Sequence, residues 1–375
     1  MIKKKLPVGI SDFREIIENN YYFVDKSMLI DELLNKRFGV TLLPRPRGFG
    51  KTLNMSMLNY FFDIENKESN KKLFDGLAIS RTDKMKYQGK YPVIYISLKS
   101  IKANNWKLCL EKLNLLLQSE YNKYNLTLER KKENSLLDLS RFLYEKYNKK
   151  VVILIDEYDT PLVTAYLQGY YDKVVLIFQN FLSAALKGNP YLEFSVITGN
   201  IGFYDILPNN IYMSTILEKD YNYFGFNLRE INELLKRLDK NDYLQKVIEN
   251  CGGYKTENDI LFSPDLTFKF LTNNLEQVLI ELEEYFVCVA DKEDKNFRKK
   301  LQELKNFNKI EECIEKTILC LDINYLNTKI SILLFCGYLT YQSFKMSEIT
   351  GIKSYILIIP NEKIKVIINK FLNEN

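Results

Sequence analysis

The chain of 375 residues is 46% apolar and 27% charged, the balance of a folded protein with a main and a smaller domain, not of a disordered or fibrous chain. Its net charge of +5 is too modest to argue for nucleic acid binding, because acidic residues accompany lysine almost everywhere. Histidine is absent, which excludes Ser-His-Asp and Cys-His catalysis, H-E-x-x-H zinc chemistry and any histidine proton shuttle.

An enzyme of this composition must work with carboxylates, lysine, arginine and a bound metal ion, a set sufficient for phosphoryl transfer. No run of eighteen apolar residues is present, and the basic start has no apolar segment behind it, so neither a membrane span nor a signal peptide is expected. Cys109, Cys251, Cys288, Cys313, Cys320 and Cys336 make no C-x-x-C pair, which predicts reduced thiols in a cytoplasmic protein.

In chain order, Tyr21–Val24 is a short β-prone run, and Ser27 stands where it can cap a helix beginning at Met28. Val40–Leu43 reads as a buried strand, residues 44–50 as a turn, and Lys51–Phe62 as a helix with Leu53, Met57, Leu58 and Phe61 on one face. A strand at Tyr91–Leu98 precedes helices at Trp106–Tyr121 and Ser135–Tyr147. Val151–Ile155 is the most apolar strand, followed by a helix at Val174–Ala185 and a strand at Leu192–Thr198. Strands alternating with helices predict βαβ units and a mainly parallel sheet. After about Tyr223 the pattern turns helical through Asn306, and Ile330–Cys336 continues it. Two short strands near Gly337–Tyr341 and Tyr355–Ile359 and a helix from Asn361 then suggest a small winged-helix-like unit.

Arg45-Pro46-Arg47-Gly48-Phe49-Gly50-Lys51-Thr52 fills the phosphate-loop pattern G-x-x-x-x-G-K-[ST], with Arg45 in place of the first glycine. Gly50 lets the backbone approach a phosphate, and N–H groups at the following helix start face the anion. Lys51 is placed to reach the terminal phosphates and Thr52 to ligate magnesium. The tripeptide Gly50-Lys51-Thr52 is a weak signal alone, but it follows an apolar strand and opens an amphipathic helix. About a hundred residues later, Val151–Ile155 ends in Asp156-Glu157, the second half of an ATPase signature. Asp156 would support the metal, Glu157 would activate water, and Thr198 at the end of the next strand is a candidate to position that water. The expected fold is therefore α/β, a three-layer αβα P-loop NTPase with a mainly parallel sheet over residues 1–225. A helical and winged-helix-like region would follow over 226–375.

Several segments resemble the bacterial AAA-ATPase-like family: Tyr22–Lys26, Arg45–Leu58, Leu73–Leu77, Tyr91–Ile94 and Ile155–Leu162. The resemblance continues through Tyr223–Phe226 and Gly337–Thr340 to Ile359–Asn361. Members of that family typically carry R-P-R-x-F-G-K-[ST], so Arg45 matches the family form of the loop. The resemblance implies ATP and Mg²⁺ as ligands, with the backbone and side chains of Arg45–Thr52 around the phosphates. Many members continue into a nuclease-like domain of the PD-(D/E)xK type. No strand-borne Glu-x-Lys paired with an upstream Asp is evident here, so nuclease activity is not expected.

Similar proteins also carry an arginine after the Thr-Gly of the fourth strand. Here no Lys or Arg occurs between Lys187 and Lys219. An arginine on the transition state contributes roughly 10³–10⁵ in rate in other NTPases, so slow hydrolysis is expected unless Arg45, Arg47 or a neighbouring subunit supplies a cation. The rival expectation is a non-hydrolysing, nucleotide-gated module for a protein or DNA partner. An unidentified protein or a second copy is the expected partner, nucleic acid is weakly supported, and no membrane is expected.

Overall fold

A computed structural model describes residues 4–126, 135–203, 206–273, 276, 279–283, 286, 290, 294–316, 318, 325–347 and 351–373. Cys288 and Cys320 lie outside the described residues. The chain divides into two compact units, one of residues 10–43 and 51–214, the other of residues 1–9, 44–50 and 215–375.

The first unit is built on a five-stranded sheet. Its strands are β1 (Val40–Pro44), β2 (Val93–Ser97), β3 (Val151–Asp156), β4 (Leu192–Gly199) and β5 (Ile211–Met213), in the order β2-β3-β4-β1-β5. The β2–β3, β3–β4 and β1–β5 registers are all parallel. β1 and β3 are buried along their whole length, as strands covered on both faces must be, and this is why they read as unbroken apolar runs. Helix α1 (Phe13–Glu18) and helix α3 (Lys51–Phe62) cover one face, α3 lying against β2 and β3. On the other face α5 (Trp106–Lys123), α6 (Leu136–Tyr147) and α8 (Tyr171–Leu186) pack on β2, β3 and β4. The expected three-layer αβα arrangement with a mainly parallel sheet is thus the observed one. Helices α2 (Met28–Lys36), α4 (Lys67–Lys72) and α7 (Thr160–Leu167) complete the unit.

Two local expectations differ. Residues 21–26 lie outside any strand, because the segment joins two helices and is held by burial of Tyr22 and by the Phe13–Phe23 ring contact, not by sheet pairing. Ser27 stands at the N-cap of α2 but makes no capping bond. Its hydroxyl instead accepts from Ile79 N at 3.1 Å, and Asp25 accepts from Ser27 N at 2.8 Å and Ala78 N at 2.7 Å.

The second unit is largely helical. Helix α9 (Leu228–Arg237) opens on a reciprocal cap, Asn227 accepting from Glu230 N at 3.0 Å and Glu230 accepting from Asn227 N at 2.9 Å. Helix α10 (Leu244–Cys251), the short ladder of β6 (Tyr254–Lys255) and β7 (Ile260–Leu261), and helix α11 (Pro264–Leu271) follow. Next come helix α12 (Lys295–Phe307), strand β8 (Ile310–Cys313), helix α13 (Leu326–Phe335), the antiparallel strands β9 (Thr340–Met346) and β10 (Lys353–Ile358), and helix α14 (Glu362–Asn373). The strand order β8-β10-β9 sets the first strand of this region against the last. The helix, hairpin and helix read from the end of the sequence correspond to α13, β9–β10 and α14, with β8 added at the edge of the hairpin. No described helix is long and apolar enough to cross a membrane.

Candidate functional site

The C-terminal ends of β3 and β4 and the start of α3 bring the chemistry-bearing side chains of the first unit together. β4 lies between β1 and β3 in the sheet, so the residues leaving β4 are set among those leaving the other two strands. Asp156, the last residue of β3, is fully buried. Its Oδ2 accepts from the Thr52 hydroxyl at 2.8 Å and its Oδ1 from the Thr198 hydroxyl at 2.6 Å. Burial raises the Asp156 carboxyl above the ordinary aspartate value. The neighbouring charge of Glu157 adds to this, while the Thr198 and Thr52 hydroxyls and Lys51 oppose it.

Lys51 is almost wholly buried, and its Nζ donates to Asn200 Oδ1 at 2.8 Å and lies 3.6 Å from Glu157 Oε1. Glu157 has φ 54°, the left-handed region that a residue with a long side chain occupies only when its surroundings impose it, at a cost of about 1–3 kcal/mol. This turn at the strand end sets Glu157 beside the ammonium of Lys51. Asp159, two residues on, is fully buried, with Oδ2 accepting from Asn200 N at 2.9 Å and Ile201 N at 3.0 Å. Burial, with the charge of Glu157 in second place, pushes its carboxyl up to about 7 against the opposing influence of Lys51 and the two N–H groups.

Of the residues singled out in the sequence, Lys51, Thr52, Asp156, Glu157 and Thr198 therefore stand together. Thr198 directs its hydroxyl to Asp156. Asn200 and Asp159 join the group without having been assigned a role from the sequence. The signal for Asn200 was its place at the exit of β4, but spacing alone does not say whether residue 198 or residue 200 meets the lysine.

The loop preceding Lys51 belongs to the second unit, and its partners there are specific. Arg45 is 3% exposed, and its guanidinium donates to the carbonyls of Pro44 at 2.8 Å and of Asp220 and Tyr221 at 3.3 Å each, with the Phe224 ring beneath it. Its φ is not among the positive values of the chain, so a side chain is accommodated where the general pattern has glycine. Arg47 pairs with Glu281 at 2.9 Å. Gly48 has φ +78°, and a Cβ there would lie 2.8 Å from Ser263 Oγ, so only glycine permits this approach. The Gly48 carbonyl accepts from Asp265 N at 3.2 Å, and the carbonyl of buried Phe49 accepts from Gly225 N at 3.1 Å. The Phe49 ring meets Tyr254 edge-on, and Pro46 packs where a Gly337 side chain would otherwise stand. Gly50, at φ +82°, has open space around its Cα.

A curated protein of Azotobacter chroococcum mcd 1, described as an uncharacterized protein in the vnfD 5' region, is 24% identical over 269 residues. The match covers 71% of this chain and 46% of that protein, so the chain spans about half the length of its curated relative. Among solved structures, the Aeropyrum pernix ORC2 protein in ADPNP and ADP complexes aligns over 92% of each chain at 12% identity, with a TM-score of 0.31. The sequence model of the family described as "Predicted AAA-ATPase" matches residues 7–205, more than half of the chain. The chain belongs to that Predicted AAA-ATPase family.

Proposed function

We propose that this chain binds ATP with magnesium through Lys51, Thr52 and Asp156 and hydrolyses it slowly, with Glu157 as the base toward the attacking water. The observation that supports this reading best is the convergence of Lys51, Thr52, Asp156 and Glu157 around two short contacts, Thr52–Asp156 at 2.8 Å and Lys51–Glu157 at 3.6 Å. The site suits Mg²⁺. A hydroxyl and a buried carboxylate are hard oxygen donors, and magnesium is ordinarily held by one or two carboxylates together with substrate phosphates and water. No group of three or more Asp, Glu, Cys or His capable of caging a metal occurs among the described residues, which fits a metal shared with a nucleotide. Magnesium, when bound, supplies positive charge to the phosphate oxygens.

The chain's own residues then divide the work. Lys51 gives a charge to the terminal phosphates, held in reserve by Glu157 and Asn200. Thr198 fixes the orientation of Asp156 through its hydroxyl. Glu157 takes up the water proton. Gly50 allows close approach of its backbone, while Arg45, Pro46, Arg47, Gly48 and Phe49 hold the loop in shape. ATP binding would drive a conformational change toward an unidentified partner; within their own unit the carbonyls of Gly48 and Phe49 are engaged by Asp265 and Gly225. ATP is preferred to GTP in this reading because no N-K-x-D guanine-reading element is present.

The test separates binding from chemistry. ATP with magnesium is expected to raise the melting temperature of the wild type and of Glu157→Gln, but not of Lys51→Ala. Glu157→Gln should lower phosphate release about 10²-fold or more, the range of a general base. Equal release by wild type and Glu157→Gln defeats the hydrolysis assignment. Three facts favour the non-hydrolysing reading: Arg45 is engaged by three carbonyls, Arg47 by Glu281, and residues 188–218 contain no Lys or Arg. In that case ATP stabilises the protein and no phosphate appears.

A further inference from the structure

Asp159 is the least expected group near this site. It is a fully buried carboxylate, Oδ1 has no hydrogen-bond partner, and the reading above gives it no part in the chemistry. Burying such a group without full satisfaction is unfavourable, so its retention calls for a physical account. Its contacts supply one. Tyr158 and Asp159 together grip the chain as it leaves β4. Tyr158 N donates to Thr198 O at 3.0 Å, its hydroxyl donates to Ile201 O at 2.9 Å and accepts from Phe203 N at 2.7 Å, and Asp159 accepts from Asn200 N and Ile201 N. Gly199 makes the grip possible, since a Cβ there would lie 2.6 Å from Asp159 Oδ1 and 2.7 Å from the Tyr158 ring. The product of the grip is the orientation of Asn200, whose Oδ1 accepts from Lys51 Nζ.

We infer that Asp159 is a positioning residue for the phosphate-binding lysine. By accepting from the backbone N–H groups of Asn200 and Ile201, it fixes the turn after β4 so that the Asn200 side chain holds Lys51 where a nucleotide phosphate meets it. Asp159 does not touch the nucleotide, and it acts only through Asn200. The inference rests on the nucleotide reading of the site proposed above.

The experiment is a double-mutant cycle on ATP affinity, with wild type, Asn200→Ala, Asp159→Ala and the double variant measured by calorimetry alongside their melting temperatures. Asn200→Ala, which frees the Lys51 ammonium from its oriented acceptor, should weaken ATP binding about tenfold while remaining folded. Asp159→Ala should weaken it similarly, and the double variant no further than the weaker single variant. Asp159→Asn, which keeps an oxygen acceptor for both N–H groups, should recover affinity to within about threefold of wild type. If Asp159→Ala does not fold, Asp159→Ser, whose oxygen stands one carbon closer to the backbone, takes its place in the cycle. Losses that multiply, or an Asp159→Asn no better than the truncation, overturn the inference. A wild type without ATP affinity, or a Lys51→Ala variant that binds as wild type does, marks instead the failure of the nucleotide reading itself.

Discussion

Asp156 and Asp159 show how differently two buried carboxylates of one strand exit are treated. Both oxygens of Asp156 accept hydroxyl donors, whereas Asp159 has one oxygen satisfied by two N–H groups and one with no partner. The raised carboxyl of Asp159 has a consequence for stability. An unfolded aspartate loses its proton as pH rises past about 4, while the folded one keeps it until about 7. The folded state therefore binds more protons across that window, and stability falls as pH rises through it, the penalty being complete above the folded value. Asp159→Asn cannot ionise and escapes the penalty. Its melting temperature relative to wild type should grow by several degrees between pH 4.5 and pH 7.5, measured by thermal scans, and a difference independent of pH would contradict the assigned shift.

The loop of residues 44–50 carries the lesson at the level of elements. The general phosphate-loop pattern begins with glycine because a tight turn commonly needs it. Here the turn at position 45 takes an ordinary φ, and the guanidinium is instead an anchor into the segment around Asp220–Phe224. Restoring the general pattern with Arg45→Gly should therefore not improve ATP affinity. It should lower the melting temperature by several degrees, because three carbonyls lose their donor and a cavity is left against Phe224. Gly48→Ala should also destabilise, by roughly 1–2 kcal/mol for the left-handed backbone alone, with the close approach to Ser263 added. Chemical denaturation of the two variants checks both expectations.

For the whole molecule, the two compact units are discontinuous in sequence, and the chain passes between them at Gly9–Ile10, Leu43–Pro44, Gly50–Lys51 and Ser214–Thr215. A boundary at residue 225/226 is tested by expressing residues 1–225 alone. That fragment lacks Tyr254, Ser263 and Asp265, which engage Phe49 and Gly48. Trypsin should then cut after Arg47 much faster in the fragment than in the full chain, and equal rates would show that the loop is held without those residues. The winged-helix-like region bears on nucleic acid binding. Thr328–Phe335 of α13 are all buried, so this helix offers no face to a DNA groove. In the β9–β10 hairpin Phe344, Lys345 and Met346 are exposed.

The parallel sheet was legible in the sequence because strands buried on both faces must be apolar throughout, and β1 and β3 are. Lys51, Thr52, Asp156 and Glu157 were singled out by residue type and spacing, and the structure brings these four side chains together. The histidine count alone removed whole classes of catalysis. Tertiary structure decided what depends on the order of strands. Only the insertion of β4 between β1 and β3 makes Asn200 a partner of Lys51 and Asp159 a partner of Asn200, contacts between residues 149 and 41 positions apart. It likewise decided that Arg45 anchors to residues 175 and 176 positions away, a role that local spacing cannot express. Periodicity reports which face of an element is buried, but the partner across that face is set by packing.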